Sequence, residues 1–137
     1  MRSPVLFLVF NRPEPTVEVF AAIRAARPPR LYVAADGARP NRSGEAQRAE
    51  ETRRIATVVD WPCEVKTLFR DQNLGCKQAV SQALDWFFEC EPEGLVLEDD
   101  CVPDPSFFRY CDELLEHHRE DERIALVSGD KDRKSVV

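Results

Sequence analysis

The alternation of short apolar runs with helix-like periodicity limits the folds open to this chain more than any other feature. Five apolar runs are typical of β-strands, at residues 4–10, 31–35, 65–69, 95–97 and 124–127. Between the runs, apolar side chains recur at helical spacing, as in the series Val80, Ala83, Leu84 and Phe87. Four strand–helix pairs followed by a fifth strand predict an α/β fold with a mostly parallel sheet, right-handed crossovers and helices on both faces.

Two of the predicted helices have recognisable starts. Asp104 followed by Pro105 is typical of an N-cap and a first helical residue. The second helix is predicted over residues 45–59, with Asn41 or Ser43 as its N-cap. That helix is highly charged, so we expect it to be largely exposed, with its apolar edge near its end at residues 55–59.

Every predicted strand ends in a polar or charged cluster. The clusters are Asn11-Arg12, Asp36-Gly37, Arg70-Asp71, Glu98-Asp99-Asp100 and Ser128-Gly129-Asp130. The carboxyl ends of parallel strands share one edge of a sheet, and open α/β sheets bind ligands there, where the strand order reverses. The polarity of ordinary loops explains each cluster singly but explains the whole set less well. The sequence therefore predicts a ligand site built from residues that are distant along the chain.

The acidic triplet, Glu98, Asp99 and Asp100, directly follows a short apolar run. Adjacent carboxylates repel one another unless something positive offsets them, and hard divalent cations select carboxylate oxygens. Because arginines at other strand ends can pair with phosphate oxygens, the set indicates a nucleoside diphosphate held with a cation. A strand end that turns into solvent is the simpler alternative. The glycine motifs of P-loop and dinucleotide-binding folds are absent from the sequence.

Composition and charge narrow the class of protein. A chain of 137 residues with 43% hydrophobic residues suits one domain or a piece of one. The formal net charge of −6 argues against nucleic-acid binding, and no apolar stretch is long enough to span a bilayer. Five cysteines without a Cys-x-x-Cys pair are interpreted as mostly small buried apolar residues in a reducing cytoplasm.

The strand-end motifs resemble those of the GT-A glycosyltransferases, which use nucleotide-diphosphate sugars. Residues 10–13 (Phe-Asn-Arg-Pro) are similar to the opening strand and first loop of that fold, and residues 35–37 (Ala-Asp-Gly) to its second-strand acid. Residues 97–108 are similar to the Glu-Asp-Asp form of the Asp-x-Asp motif and its Pro-Asp-x-x-Phe-Phe continuation. The N-acetylglucosaminyltransferase I group and related bacterial family 2-like transferases carry that form. The resemblance implies a Rossmann-like GT-A sheet, with residues 1–131 as its nucleotide-sugar-binding half.

The resemblance also implies a role for each matching residue. Asp100 is implied to be the direct ligand of Mn²⁺ or Mg²⁺. Asp36 is implied to contact the nucleobase or ribose, and Arg12 to reach the base or the diphosphate. The implied nucleotide-sugar-binding residues are, in full, Asn11, Arg12, Asp36, Arg70, Asn73, Gly75, Glu98 and Asp99.

The implied reaction is metal-dependent transfer of a sugar from a nucleoside-diphosphate sugar, most simply a UDP-sugar, to a glycan or other hydroxyl acceptor. The general base is expected beyond the fifth strand, so no catalytic residue is assigned. Three alternatives stay open: a sugar-phosphate nucleotidyltransferase, a non-catalytic nucleotide-binding module, and a shared fold with an unrelated function.

Residues 132–137 are interpreted as an artefactual tail, because they correspond to one reading frame of a widely used sequencing adapter. We therefore expect the natural protein to continue beyond the fifth strand. On that expectation the present chain holds a donor sugar and is poorly active by itself.

Overall fold

The computed structural model describes residues 1–120. Its strands are β1 (Val5–Val9), β2 (Arg30–Ala35), β3 (Glu64–Phe69) and β4 (Leu95–Glu98), and its helices are α1 (Pro13–Ala26), α2 (Glu45–Ile55), α3 (Cys76–Cys90) and α4 (Pro105–His118). The four predicted strand–helix pairs are confirmed in number and order. The predicted fifth strand, the polar cluster at residues 128–130 and the tail at residues 132–137 lie outside the described residues.

The four strands form one parallel sheet in the order β3-β2-β1-β4. Phe7 at the centre of β1 is in register with Val33 of β2 and with Leu97 of β4. The chain moves outward from β1 to β2 and β3 and then returns across the sheet to β4, so the strand order reverses between β1 and β4. The predicted α/β fold with a parallel sheet is confirmed.

Alternate side chains of β1 enter two separate cores, one on each face of the sheet. Phe7 belongs to a core with Ile23 of α1 and Phe108 of α4. Leu6 belongs to the opposite core, with Phe87 of α3. Right-handed crossovers explain this division, because α1 joins strands that advance in one direction across the sheet and α3 joins strands that return in the other.

The strands differ in burial as their positions in the sheet require. β1 and β2 lie inside the sheet and are buried along most of their length, as their apolar runs predict. β3 is a largely exposed edge strand. In β4, Leu95 and Leu97 are buried, whereas Val96 and Glu98 are exposed. The apolar run of β4 is therefore buried on one face only, because α3 packs on β1 and β2.

The predicted start of α2 at Glu45 is confirmed, but its predicted N-cap and its predicted end are wrong. The N-cap is Gly44 in a left-handed conformation (φ 77°), not Asn41 or Ser43, and no side chain caps the helix. The helix ends at Ile55 instead of continuing to residue 59. Its buried residues are Glu45, Ala49 and Thr52. Of the predicted apolar edge, Ile55 and Val59 are half-buried against the core, whereas Val58 is exposed. The burial of Glu45 follows from its ion pair with Arg39, which a capping pattern does not encode.

The predicted start of α4 is confirmed. Asp104 is the N-cap, and its Oδ1 accepts a hydrogen bond of 2.9 Å from the backbone N–H of Ser106. Pro105 is the first helical residue, where its missing N–H costs nothing. No helix within residues 1–120 has the length and apolar character needed to cross a membrane.

A buried ionic network closes the amino edge of the sheet. Glu91, directly after α3, accepts hydrogen bonds from Arg30 Nε at 2.6 Å and from Tyr32 Oη at 2.6 Å. Burial alone would raise the pKa of Glu91, but the bonds from Arg30 and Tyr32 hold that pKa below its usual value. Burial and the Glu91 carboxylate raise the pKa of Tyr32. The network therefore keeps Glu91 ionised and Tyr32 neutral.

The prediction that the cysteines are mostly buried is wrong. Cys76, Cys90 and Cys101 are exposed, and Cys63 and Cys111 are half-buried. Cys76 and Cys90 are the first and last residues of α3, where a helix leaves the sheet that it covers. Burial raises the pKa of Cys111 to about 11, so its thiol stays protonated near neutral pH.

Candidate functional site

A cleft of about 450 Å³ opens at the carboxyl edge of the sheet. It is lined by the ends of β1, β2 and β3, by the start of α3 and by the acidic triplet, which begins at the last residue of β4. The cleft thus spans the point between β1 and β4 where the strand order reverses. Open α/β sheets bind their ligands at such a position.

The structure brings most of the sequence-predicted site residues together in this cleft. Those that line it are Arg12, Asp36, Arg70, Asn73, Gly75, Glu98, Asp99 and Asp100. Asn11 is placed differently, because its Nδ2 donates a hydrogen bond of 2.8 Å to Glu45 Oε1. Asn11 therefore holds the start of α2 and is not part of the cleft lining.

Arg12 and Asp99 bridge the crevice between β1 and β4. Arg12 Nη2 lies 3.1 Å from Asp99 Oδ1, with the carboxylate 7% exposed and the guanidinium side chain 56% exposed. Burial raises the pKa of Asp99 above its usual value; Arg12 opposes that shift and Asp100 adds to it. The pair neutralises a carboxylate that the protein would otherwise bury at a cost.

Asp36 is surrounded by hydrogen-bond donors from the chain itself. Its Oδ1 accepts from the backbone N–H groups of Gly37 (2.8 Å) and Leu74 (2.8 Å). Its Oδ2 accepts from Asn73 Nδ2 (3.1 Å) and from the backbone N–H of Gly75 (3.1 Å). A carboxylate has about four acceptor positions, so these bonds use its capacity. In this arrangement Asp36 fastens the loop before α3 to the end of β2.

Arg53 of α2 reinforces the same junction, and no sequence motif points to it. Its Nη2 donates to the backbone oxygens of Asp36 (3.1 Å) and Arg70 (2.7 Å), which joins the ends of β2 and β3. Its guanidinium carbon lies 4.9 Å from the ring centroid of Phe69. Burial lowers the pKa of Arg53, and its Nε has no hydrogen-bond partner within residues 1–120.

Gly37 shows how closely the two loops approach each other. A Cβ at this position would lie 2.5 Å from the backbone carbonyl carbon of Gln72, a distance that no real Cβ tolerates. The backbone after β2 therefore packs directly on the backbone after β3, which fixes the base of the cleft on this side.

Arg39 is a cleft residue that the sequence interpretation missed. It lines the cleft beside Phe10, with 5.8 Å between its guanidinium carbon and the ring centroid. Its Nε lies 3.1 Å from Glu45 Oε2, and its backbone N–H donates to the same oxygen at 2.7 Å. The Arg39 hydrogen bonds lower the pKa of Glu45 to about 2, against the opposing effect of burial.

The α3 side of the cleft combines a cation with apolar surface. Arg70 Nη2 donates to Gln82 Oε1 at 2.7 Å, so its partner there is a neutral amide. Apolar lining on the same side comes from Leu8, Ala34, Leu68, Ala79 and Val80. The cleft thus offers both guanidinium groups and a hydrophobic wall.

The acidic triplet does not converge on one point. Asp99 is buried against Arg12, whereas Glu98 and Asp100 are exposed at the cleft. Within residues 1–120, no group of three or more Asp, Glu, His or Cys side chains is arranged to hold a metal ion. Mg²⁺ is commonly held by one or two carboxylates with substrate phosphates supplying further ligands. The donor set around Asp100 fits that manner of binding and does not fit an all-protein metal cage.

Comparison with known proteins found no match to this chain among family models, curated proteins or solved structures.

Proposed function

We propose that this chain is the donor-binding portion of a metal-dependent glycosyltransferase, which binds a nucleoside-diphosphate sugar and transfers the sugar to a hydroxyl acceptor. The supporting observation is the meeting of Arg12, Arg70 and the acidic triplet in one cleft where the strand order reverses. Guanidinium groups suit phosphate oxygens, and the triplet suits a divalent cation. The resemblance of the strand-end motifs to GT-A transferases points to the same ligand.

Each part of the cleft has a proposed task. Arg12 and Arg70 pair with the diphosphate, and the apolar wall near Leu68 and Val80 packs against the nucleobase. Asp100 holds Mn²⁺ or Mg²⁺, which supplies Lewis-acid stabilisation of the leaving diphosphate. Asp36 acts indirectly in this scheme, since its donors come from the chain itself.

Calorimetry with UDP tests the proposal on the full chain. We expect binding with Mn²⁺ present and its loss on addition of EDTA. Asp100→Ala should weaken UDP binding about tenfold or more, because a lost metal ligand or its support typically costs 10–100-fold. Asp85→Ala removes an exposed carboxylate of α3 outside the cleft and should leave binding unchanged.

The outcomes separate the parts of the proposal. If UDP binding is unchanged by EDTA and by Asp100→Ala, the metal ion is not part of the site. If UDP does not bind at all, the proposed nucleotide site is refuted. Release of sugar from a UDP-sugar donor distinguishes a transferase from a non-catalytic nucleotide-binding module.

A further inference from the structure

We propose that Arg39 is a phosphate-contacting residue of the cleft and that Glu45 and Asn11 position it. This inference rests on the proposed nucleoside-diphosphate site and adds residues to it. Arg39 lies on the loop between β2 and α2, and Glu45 is the first residue of α2. Neither residue belongs to a strand-end motif.

The Arg39 side chain has donors left to offer a ligand. Its Nε and Nη2 atoms bond to Glu45, and its side chain remains 40% exposed at the cleft. A guanidinium carries five N–H donors, so three N–H groups have no partner within residues 1–120. Planar guanidinium groups with free N–H donors match phosphate oxygens in geometry and charge.

Glu45 is a buried carboxylate whose position is fixed, and it can therefore orient the Arg39 guanidinium. Its side chain is 1% exposed, although surface ion pairs normally leave both partners in water. Asn11 Nδ2 donates to Glu45 Oε1 at 2.8 Å, which holds the carboxylate from the end of β1. The guanidinium therefore has little freedom to lose when a ligand binds, and such preorganisation favours affinity.

The position of the counter-ion distinguishes Arg39 from Arg12. Arg12 pairs with Asp99, which itself lines the cleft, so an anionic ligand competes with that carboxylate. Glu45 lies outside the cleft lining. Arg39 can therefore keep its carboxylate partner while its remaining donors reach a phosphate.

Affinities of UDP and of uridine, measured on the full chain with Mn²⁺, test the inference. Arg39→Gln should weaken UDP binding about tenfold, the value of one charge-assisted contact, and leave uridine binding within about twofold. Arg39→Lys should recover part of the UDP affinity, since it keeps the charge. Arg42→Gln is the matched control, because Arg42 is exposed on the same loop and outside the cleft.

A double-mutant cycle tests the positioning role of Glu45. If Glu45 acts through Arg39, Glu45→Gln weakens UDP binding in the wild-type background and adds nothing to Arg39→Gln. Fully additive losses would overturn that role, and equal losses for UDP and uridine would show that Arg39 only shapes the loop. An Arg39→Gln affinity equal to that of Arg42→Gln refutes the phosphate contact. A wild-type chain that binds neither ligand refutes the proposed function and this inference together.

Discussion

Glu45 is a single carboxylate held by four donor atoms, and it ties three parts of the chain together. The donors are Asn11 Nδ2 and the backbone N, Nε and Nη2 of Arg39. These contacts join the end of β1, the loop after β2 and the start of α2. At the scale of one residue, the shape of the cleft edge therefore depends on Glu45 staying ionised.

The ionisation of Glu45 predicts a specific dependence of stability on pH. Its pKa is about 2 in the folded protein against an ordinary value of 4.5, so the unfolded chain takes up the proton first as the pH falls. The stabilisation is complete above about pH 4.5 and is lost as the pH falls towards 2. Urea midpoints of wild type and Glu45→Gln should differ by a constant amount above pH 4.5 and converge below it.

Glu50→Gln is the control for that pH series, because Glu50 is an exposed carboxylate on the same helix. Its midpoint should differ little from the wild-type midpoint at any pH. If the difference in urea midpoint between wild type and Glu45→Gln stayed the same down to pH 2, that result would contradict the ionic contact.

At the scale of elements, the loops after β2 and β3 form one unit. Asp36 and Arg53 bond across the junction, and Gly37 packs on the backbone of Gln72. The loop that leads into α3 is thereby fixed by groups at the end of a different strand. The position of the α3 wall of the cleft follows from this junction.

Asp36→Asn tests how much the junction contributes to stability. The amide keeps one acceptor oxygen and places an NH₂ group against donors, so at least two hydrogen bonds are lost. We expect the free energy of unfolding to fall by about 2–3 kcal/mol in urea titrations. Asp85→Asn removes the same charge from an exposed position on α3. It should change the free energy of unfolding by less than about 0.5 kcal/mol. An equal effect of the two substitutions would show that the Asp36 bonds are not stabilising.

The sequence predicts elements better than it predicts their contacts. Apolar runs and helical spacing identify every described strand and helix, and the Asp104-Pro105 cap is local enough to be visible. The ion pair at the start of α2 is not predictable in this way, because Arg39 pairs with a carboxylate that looks like any surface Glu. Asp36 is found as a strand-end acid, but three of its four donors lie on a loop far along the chain.

At the scale of the whole molecule, as far as residues 1–120 describe it, α3 alone covers one face of the sheet. The core beneath α3 is small, and Phe87 is its largest contribution from that helix. The opposite face is covered by α1 with α2 and α4 beside it. Loss of apolar volume under α3 therefore has few neighbouring residues to compensate it.

Phe87→Ala should lower the free energy of unfolding by about 3–5 kcal/mol, because the side chain is fully buried and its removal leaves a cavity. Phe88→Ala is the adjacent control, since Phe88 is 46% exposed, and should cost less than about 1 kcal/mol. Urea unfolding measures both variants. If Phe87→Ala and Phe88→Ala lowered the free energy of unfolding by similar amounts, that result would contradict the placement of the α3 core.

The network of Arg30, Tyr32 and Glu91 lies at the amino edge of the sheet, across the strands from the cleft. This network and the cleft thus lie at opposite ends of the same sheet. A library of variants confined to the cleft-lining loops would search new ligand chemistries without disturbing that network. The sheet can accordingly stay unchanged while the loops vary, provided that Asp36 and Gly37, which join the loops after β2 and β3, are excluded from the library.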